Sequence, residues 1–223
     1  MGSPSNPSCC LWANLIASDS LGAELLSIGD YLAIRVDNLD NPPTPRISGF
    51  YKRTTSGWAN LSYNATYAGT GWHHFCFVMN DGANTQQLYV DASLVASGTS
   101  TQSILYTGQG SSTFVGRHGN GGTTYHFGGD IGEAAVWNTS LTQADITQLY
   151  SSKVKRMPLQ VKTSNLIMYL PLDQATAGTS VDTTVFSDMS GTNTMTADNG
   201  ANNTGMTAAA ETILSYQPSI IGQ

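Results

Sequence analysis

At 223 residues the chain is long enough for one large domain or two small ones, and an all-β sandwich commonly uses this whole length as a single unit. Only 11% of the residues are charged, against about 25% in an average soluble domain. The 24 Ser, 26 Thr, 15 Asn and 23 Gly suit strands and turns, which excludes a mainly helical protein faced with Glu, Lys and Arg. A net charge of -6 excludes a phosphate-tracking surface, so no nucleic-acid partner is expected, and no apolar run reaches the ~18 residues that membrane insertion needs.

In chain order, short apolar or alternating segments recur between Gly, Asn, Asp and Pro clusters. Strands are expected at 10–16 and 25–29, then at 31–37, where Leu32, Ile34 and Val36 alternate with Ala33 and Arg35 in a half-buried pattern. Pro42, Pro43 and Pro45 remove ladder donors and mark an irregular edge. Further strands follow at 47–52, 58–63, 72–80, 87–91, 94–97, 113–116 and 131–137, with Asp81-Gly82 as a hairpin turn. One helix is expected over 142–150. Ile146, Leu149 and Tyr150 give it an apolar stripe, and Thr142 with Asp145 resembles a capping box. Lys153, Lys155, Arg156 and Lys162 then hold four of the nine cations and read as a solvated helix end. Leu166 to Asp173 is a further strand. The stretch 174–210 reads as short strands with long loops, and 213–221 as a final extended segment.

Three cysteines, Cys9, Cys10 and Cys76, cannot all pair with one another, so at least one is free or bonds another chain. The first basic residue is Arg35 and the apolar stretch 11–16 is broken by Asn14, so no secretory leader is expected and a thiol-containing protein folded in the cytoplasm is the plainer reading.

Three segments, in this order, resemble the laminin-G-like, concanavalin A-like lectin/glucanase superfamily. Gly71-Trp72-His73-His74-Phe75-Cys76-Phe77 is similar to its GWHH strand. Gln87 to Gly98 resembles its LYVDGxLVASG hairpin. Phe127 to Asn138, running through Leu141-Thr142 to Tyr150, resembles its FxGxIDEVRIYNRALSxxEIxxLY ending. The resemblance spans about 10–150 and implies a jelly-roll sandwich of two antiparallel sheets with one short helix. Gly132 stands where the family carries Asp, so a calcium-supported loop there is not indicated and no cofactor is expected. Leu166 to Asp173, followed by Phe186 to Asn193, looks like the family's opening strand and its DxSGxxN turn, placed after the helix instead of before the first strand. The expectation is one domain over 1–223, its segment 163–223 supplying completing strands. The rival is a truncated second copy. Chains of this type resemble proteins of tailed phages and metagenomic viral genomes.

Some members of the superfamily are β-glucanases, whose carboxylates sit two apart on one strand so that they share a face. Here the nearest approach is Asp130 with Glu133, which regular alternation would turn to opposite faces, so no catalytic residues are expected and a glycosidase is a remote alternative. No nucleophile elbow, phosphate loop or metal-type Cys/His spacing is present, and His73-His74 reads as packing within its strand. What remains is a binding surface. The loop 116–129 carries Arg117, His118, Asn120, Tyr125 and His126 between two strands, a polar and aromatic set suited to a glycan site on a rigid scaffold. Tyr125 is read as its exposed platform, and Trp58, Tyr63 and Tyr67 form a second aromatic group that reads as core or interface and stands next in line for the site. The reading is a non-catalytic surface module of a phage virion, a decoration or fibre component, partnered by neighbouring virion subunits or copies of itself and by glycans. The alternative is an extracellular lectin domain, secreted or on a cell surface.

Overall fold

The computed structural model describes residues 3–37, 44–55, 57–108, 112–122, 124–151, 156–173, 185–191 and 193–197. The expected segment 213–221, most of 174–210, and Lys153 and Lys155 lie outside them.

Alternation becomes two antiparallel sheets. The larger runs β11-β10-β1-β6-β7-β8, from β1 (Ser8–Asn14), β6 (Trp72–Asn80), β7 (Thr85–Val90), β8 (Ser93–Thr99), β10 (Asp130–Trp137) and β11 (Leu166–Leu170). The smaller runs β5-β4-β3-β2-β9, from β2 (Ala23–Ile28), β3 (Leu32–Asp37), β4 (Arg46–Lys52), β5 (Trp58–Asn64) and β9 (Thr113–Val115). Between them Leu11, Ala13, Leu26, Ile34, Ile47, Phe75, Phe77, Leu88 and Val136 form the main core, the aligned packing expected of a jelly-roll sandwich. Close approach at its centre requires Gly49, because a Cβ there would collide with the Phe77 ring across the sandwich.

The outer face of the six-stranded sheet carries a second core. Cys10, Cys76, Val78, Tyr89, Ala135, Trp137 and Tyr169 point there and are covered by α1 (Gln143–Ser151) through Ile146 and Leu149. The capping box forms as the sequence suggests: the Asp145 carboxylate accepts from Thr142 N at 2.8 Å, and Asp145 N donates to Thr142 Oγ1 at 3.2 Å. Trp137 is fully buried, and its Nε1 donates to the Val161 carbonyl at 2.8 Å.

The displaced opening-strand motif lies in this same fabric. β11 pairs antiparallel with β10, Ala134 opposite Leu170 and Val136 opposite Met168. The hairpin of β12 (Val185–Ser187) and β13 (Thr194–Thr196) inserts Phe186 into the main core, where Ala197 also packs. Asp188 fastens that hairpin to β11: its Oδ1 accepts from Tyr169 N at 2.7 Å and its Oδ2 from Asn193 Nδ2 at 2.6 Å. These hydrogen bonds to the charged form hold the Asp188 carboxyl below its ordinary pKa, against the opposing pull of its burial.

Candidate functional site

On the outer face of the five-stranded sheet the alternation of β3 leaves Arg35 and Asp37 opposite the core-facing Leu32, Ile34 and Val36. β4 contributes Arg46, Ser48, Phe50 and Lys52 by the same rule. Registers β2–β3 and β4–β5 then set Glu24 against Arg35 and Trp58 against Lys52. The result is a ladder of stacked groups. Lys52 Nζ lies 5.1 Å over the Trp58 ring, Trp58 stacks on Phe50 at 4.6 Å and 15°, and the Arg35 guanidinium lies 4.0 Å over Phe50 and 4.8 Å over Tyr125. Tyr125 in turn packs against His118 at 5.4 Å. Phe50, Trp58 and Tyr125 belong to neither core, so their stacking shapes an outer surface.

Beneath the ladder sits a buried charge cluster. Arg35 approaches Asp37 at 3.2 Å and Glu24 at 3.8 Å, and all three are under a tenth exposed. One guanidinium shared between two carboxylates compensates each incompletely. Burial pushes the Glu24 carboxyl up to about 7, against the lowering pull of Arg35 and of the Gly119 N–H that donates to its Oε1 at 2.9 Å.

The loop carrying the sequence candidates is laid onto this cluster. Tyr125, with φ of 58°, accepts from Glu24 N through its carbonyl at 2.9 Å, and its ring rests on Gly22, where a Cβ would stand 3.0 Å from it. It is half-buried, with Arg35 and His118 against the ring, and is therefore not the exposed platform that the sequence suggests. His118 is buried, 8% exposed, with Nδ1 accepting from Asn120 N at 3.2 Å. Arg117 turns inward along the loop and donates to the Gly121 carbonyl at 2.6 Å. Asn120 is exposed, its Oδ1 accepting from Gly122 N. His126 is half-buried, with an Nε2 that has no hydrogen-bond partner among the described residues. All five candidates lie on this one loop, with Tyr125 and His118 packed against the ladder. Trp58 comes from the second aromatic group; Arg35, Glu24 and Phe50 were missed, and the period-two pattern of 32–37 and 46–52 was the signal available for the first and third.

Gly119 fixes this docking, since a Cβ on it would run into the Gly29 carbonyl and the Asp30 backbone. Gly119→Ala is expected to lift the loop, remove the N–H from Glu24 and lower stability by about 1–3 kcal/mol, read as a reduced urea midpoint.

The carboxylates near the family's terminal motif need a correction. A bulge in β10 makes Cys10 to Trp12 span Ala135 to Gly132, with Glu133 at φ 53°, so strict alternation fails. Asp130, bonded to Asn14, and Glu133, accepting from Tyr169 OH at 2.7 Å, both turn to the outer face of the six-stranded sheet. Glu133 is buried there and also accepts from Arg156 N at 2.9 Å. Each carboxylate is engaged in a separate local structure, so the pair forms no open acid–base site. His73 is likewise structural, holding Asp91 at 2.6 Å. Tyr67 packs edge-on against His73 and Phe75. Among the described residues no helix is long and apolar enough to cross a membrane.

Three solved structures illustrate the likeness. A protein of Bacteroides ovatus ATCC 8483 assigned to carbohydrate binding is 15% identical, with a TM-score of 0.63 over 88% of this chain and 55% of its own, so the chain spans about half its length. The CBM40 module of the Ruminococcus gnavus IT-sialidase is 12% identical, with a TM-score of 0.54 over 66% of this chain and 84% of its own. The leech intramolecular trans-sialidase is 15% identical, with a TM-score of 0.54 over 66% of this chain and 23% of its own. These similarities carry the fold alone. No curated protein matches the chain in sequence. The family model Laminin_G_3 matches residues 3–147, and the chain belongs to this family of the concanavalin A-like lectin/glucanases superfamily.

Proposed function

We propose that the chain is a non-catalytic glycan-binding module that presents the outer face of its five-stranded sheet to sugar chains, as a surface component of a phage virion. The observation that carries the glycan reading is the ladder Lys52–Trp58–Phe50–Arg35–Tyr125, a set of rings and cations held outside both cores with the exposed Asn60 beside it on β5. The stacked rings present a row of apolar edges on which the C–H groups of a sugar can rest, neighbouring amides take its hydroxyls, and a pre-stacked array loses little conformational freedom on binding. The weakly charged Ser/Thr/Asn surface suits close packing against neighbouring subunits, which supports the virion setting. A secreted or cell-surface lectin domain is the second reading, favoured by the Cys10–Cys76 disulfide, a bond that persists in oxidising surroundings.

A glycan-array screen paired with native mass spectrometry tests the proposal. Binding of at least one glycan is expected, weakened by Trp58→Ala about five- to thirtyfold, the loss of about 1–2 kcal/mol typical of one aromatic contact. Larger assemblies would favour the virion setting, and a sugar-binding monomer the lectin setting. No reducing ends should be released from laminarin, lichenan, agarose or carrageenan. Turnover that disappears in Glu24→Gln or Glu133→Gln would overturn the non-catalytic reading.

A further inference from the structure

Cys10 and Cys76 face each other directly on β1 and β6, joined by a disulfide with Cα atoms 4.2 Å apart, although 66 residues separate them in sequence. His74 lies two residues before Cys76, so the pleat turns both side chains to the same face. Its imidazole is 3% exposed, and both ring nitrogens face the Cys76 sulfur, Nδ1 at 3.9 Å and Nε2 at 3.7 Å. Among the described residues the ring has no nitrogen or oxygen partner. A buried imidazole whose polar edge meets only sulfur is an expensive packing residue, where an apolar side chain of similar size would avoid the desolvation cost. The donor atoms of Cys10, His74 and Cys76 all lie within 4.8 Å of one another. Trp12 at 5.2 Å and Tyr150 at 6.3 Å flank the imidazole.

We infer that the dithiol form of this cluster is a three-ligand site for Cu+, with Cys10 Sγ, Cys76 Sγ and one ring nitrogen of His74 as ligands, and that metal and disulfide are alternative states of the same place. One edge of the site already has the right length: bonds of about 2.3 Å to sulfur and about 2.0 Å to nitrogen, opened to a trigonal angle, separate the two donors by about 3.7 Å, and Cys76 Sγ and His74 Nε2 stand 3.7 Å apart. The two sulfurs, bonded to each other in the oxidised state, must part to about 4 Å on reduction for the same trigonal angle. Two thiolates are soft donors that suit Cu+, and imidazole, a borderline donor, also binds copper. A structural Zn2+ site calls for a fourth protein ligand, and among the described residues the cluster supplies three. Cys9 is excluded as a ligand because it points into the other core.

The chemistry balances with an external dithiol as reductant. It gives two electrons and two protons to the Cys10–Cys76 bond, leaving two thiols, and is itself oxidised to a disulfide. Cu+ then forms two metal–sulfur bonds while the two thiol protons pass to solvent, and the neutral imidazole adds its lone pair without further proton release. The metal would clamp β1 to β6 beneath α1 where the disulfide is absent.

The test is an anaerobic titration of the full chain with Cu+ against a bicinchoninate competitor, in the reduced and the oxidised states, followed by X-ray absorption at the copper edge. The reduced chain is expected to bind one Cu+ with two sulfur ligands and one nitrogen ligand, and the oxidised chain none. His74→Gln should weaken binding at least about tenfold, Cys10→Ser/Cys76→Ser should abolish it, and Cys9→Ala should leave it unchanged. The inference is overturned if the reduced wild-type chain binds no Cu+, if the absorption spectrum shows no nitrogen ligand, if affinity survives His74→Gln unchanged, or if thiol titration finds the bond irreducible until the protein unfolds. The wild-type comparisons stand even if a variant fails to fold.

Discussion

A chain ending at residue 160 should fail to fold cooperatively, even though it contains the whole of the 3–147 family match. Such a chain lacks Leu166, Met168, Tyr169, Leu170 and Phe186, all of them buried in one or other core. Full burial of a large apolar side chain contributes about 1.5–3 kcal/mol, so five of them together reach on the order of 10 kcal/mol, comparable with the whole stability margin of about 5–15 kcal/mol. The polar losses point the same way. Trp137 Nε1 would lose the Val161 carbonyl, and Glu133 would lose the Tyr169 hydroxyl while uncovered at the edge of β10. Calorimetry and near-ultraviolet circular dichroism decide the matter. The shortened chain should show no cooperative transition, whereas a melting temperature equal to that of the full chain would show that β11 and its hairpin are accessory.

The second large effect is hidden in the wild type and revealed by substitution. Burial raises the Glu24 pKa from 4.5 to about 7, so its contribution to stability is fully present below the unfolded value and is lost as pH rises through about 7. His74 runs in the opposite sense. Burial lowers it from 6.5 to about 4, so its contribution is present above the unfolded value and is lost as pH falls toward 4. The two windows overlap and their slopes oppose, so the disulfide-bonded wild type should have nearly constant stability between about pH 4.5 and 6.5. Glu24→Gln removes one side of this balance. The variant should lose up to about 3 kcal/mol on acidification across that range, measured as a falling urea midpoint. A flat profile for Glu24→Gln, or a wild type with the same slope as the variant, would contradict the assignment.

Much of the fold was legible because local rules and tertiary structure agree. The alternation at 32–37 became β3, the Asp81-Gly82 turn joins β6 to β7, and the Thr142–Asp145 pair caps α1. The opening-strand pattern at 166–173 identified β11 out of its usual place, from a resemblance that the pairing with β10 gives physical form. The site was harder to read. Arg35 and Phe50 each stand out on an outward face, but their meeting depends on the β3–β4 register, and that of Glu24 with Arg35 on a bulged β2–β3 pairing. Tyr125 was misjudged because its positive φ turns the ring down onto Gly22, a conformation that loop composition does not reveal. The bulge at Glu133 likewise defeated a face assignment that assumed period two. The cysteine pairing was open in sequence for the same reason: it is a cross-strand contact fixed by β1–β6 register.

The claim that the outer face of the five-stranded sheet receives the sugar can be tested with the four tryptophans as reporters. Trp12 and Trp137 lie on the helix-covered side, Trp72 begins β6, and Trp58 stands on the ladder. Their indole N–H resonances form four peaks in a nitrogen-15 correlation spectrum recorded during titration with a glycan identified on the array. The Trp58 peak is predicted to shift with saturable dependence on glycan concentration while those of Trp12 and Trp137 stay fixed. A saturable shift at Trp12, Trp72 or Trp137 with Trp58 unmoved would place the sugar elsewhere and contradict the account.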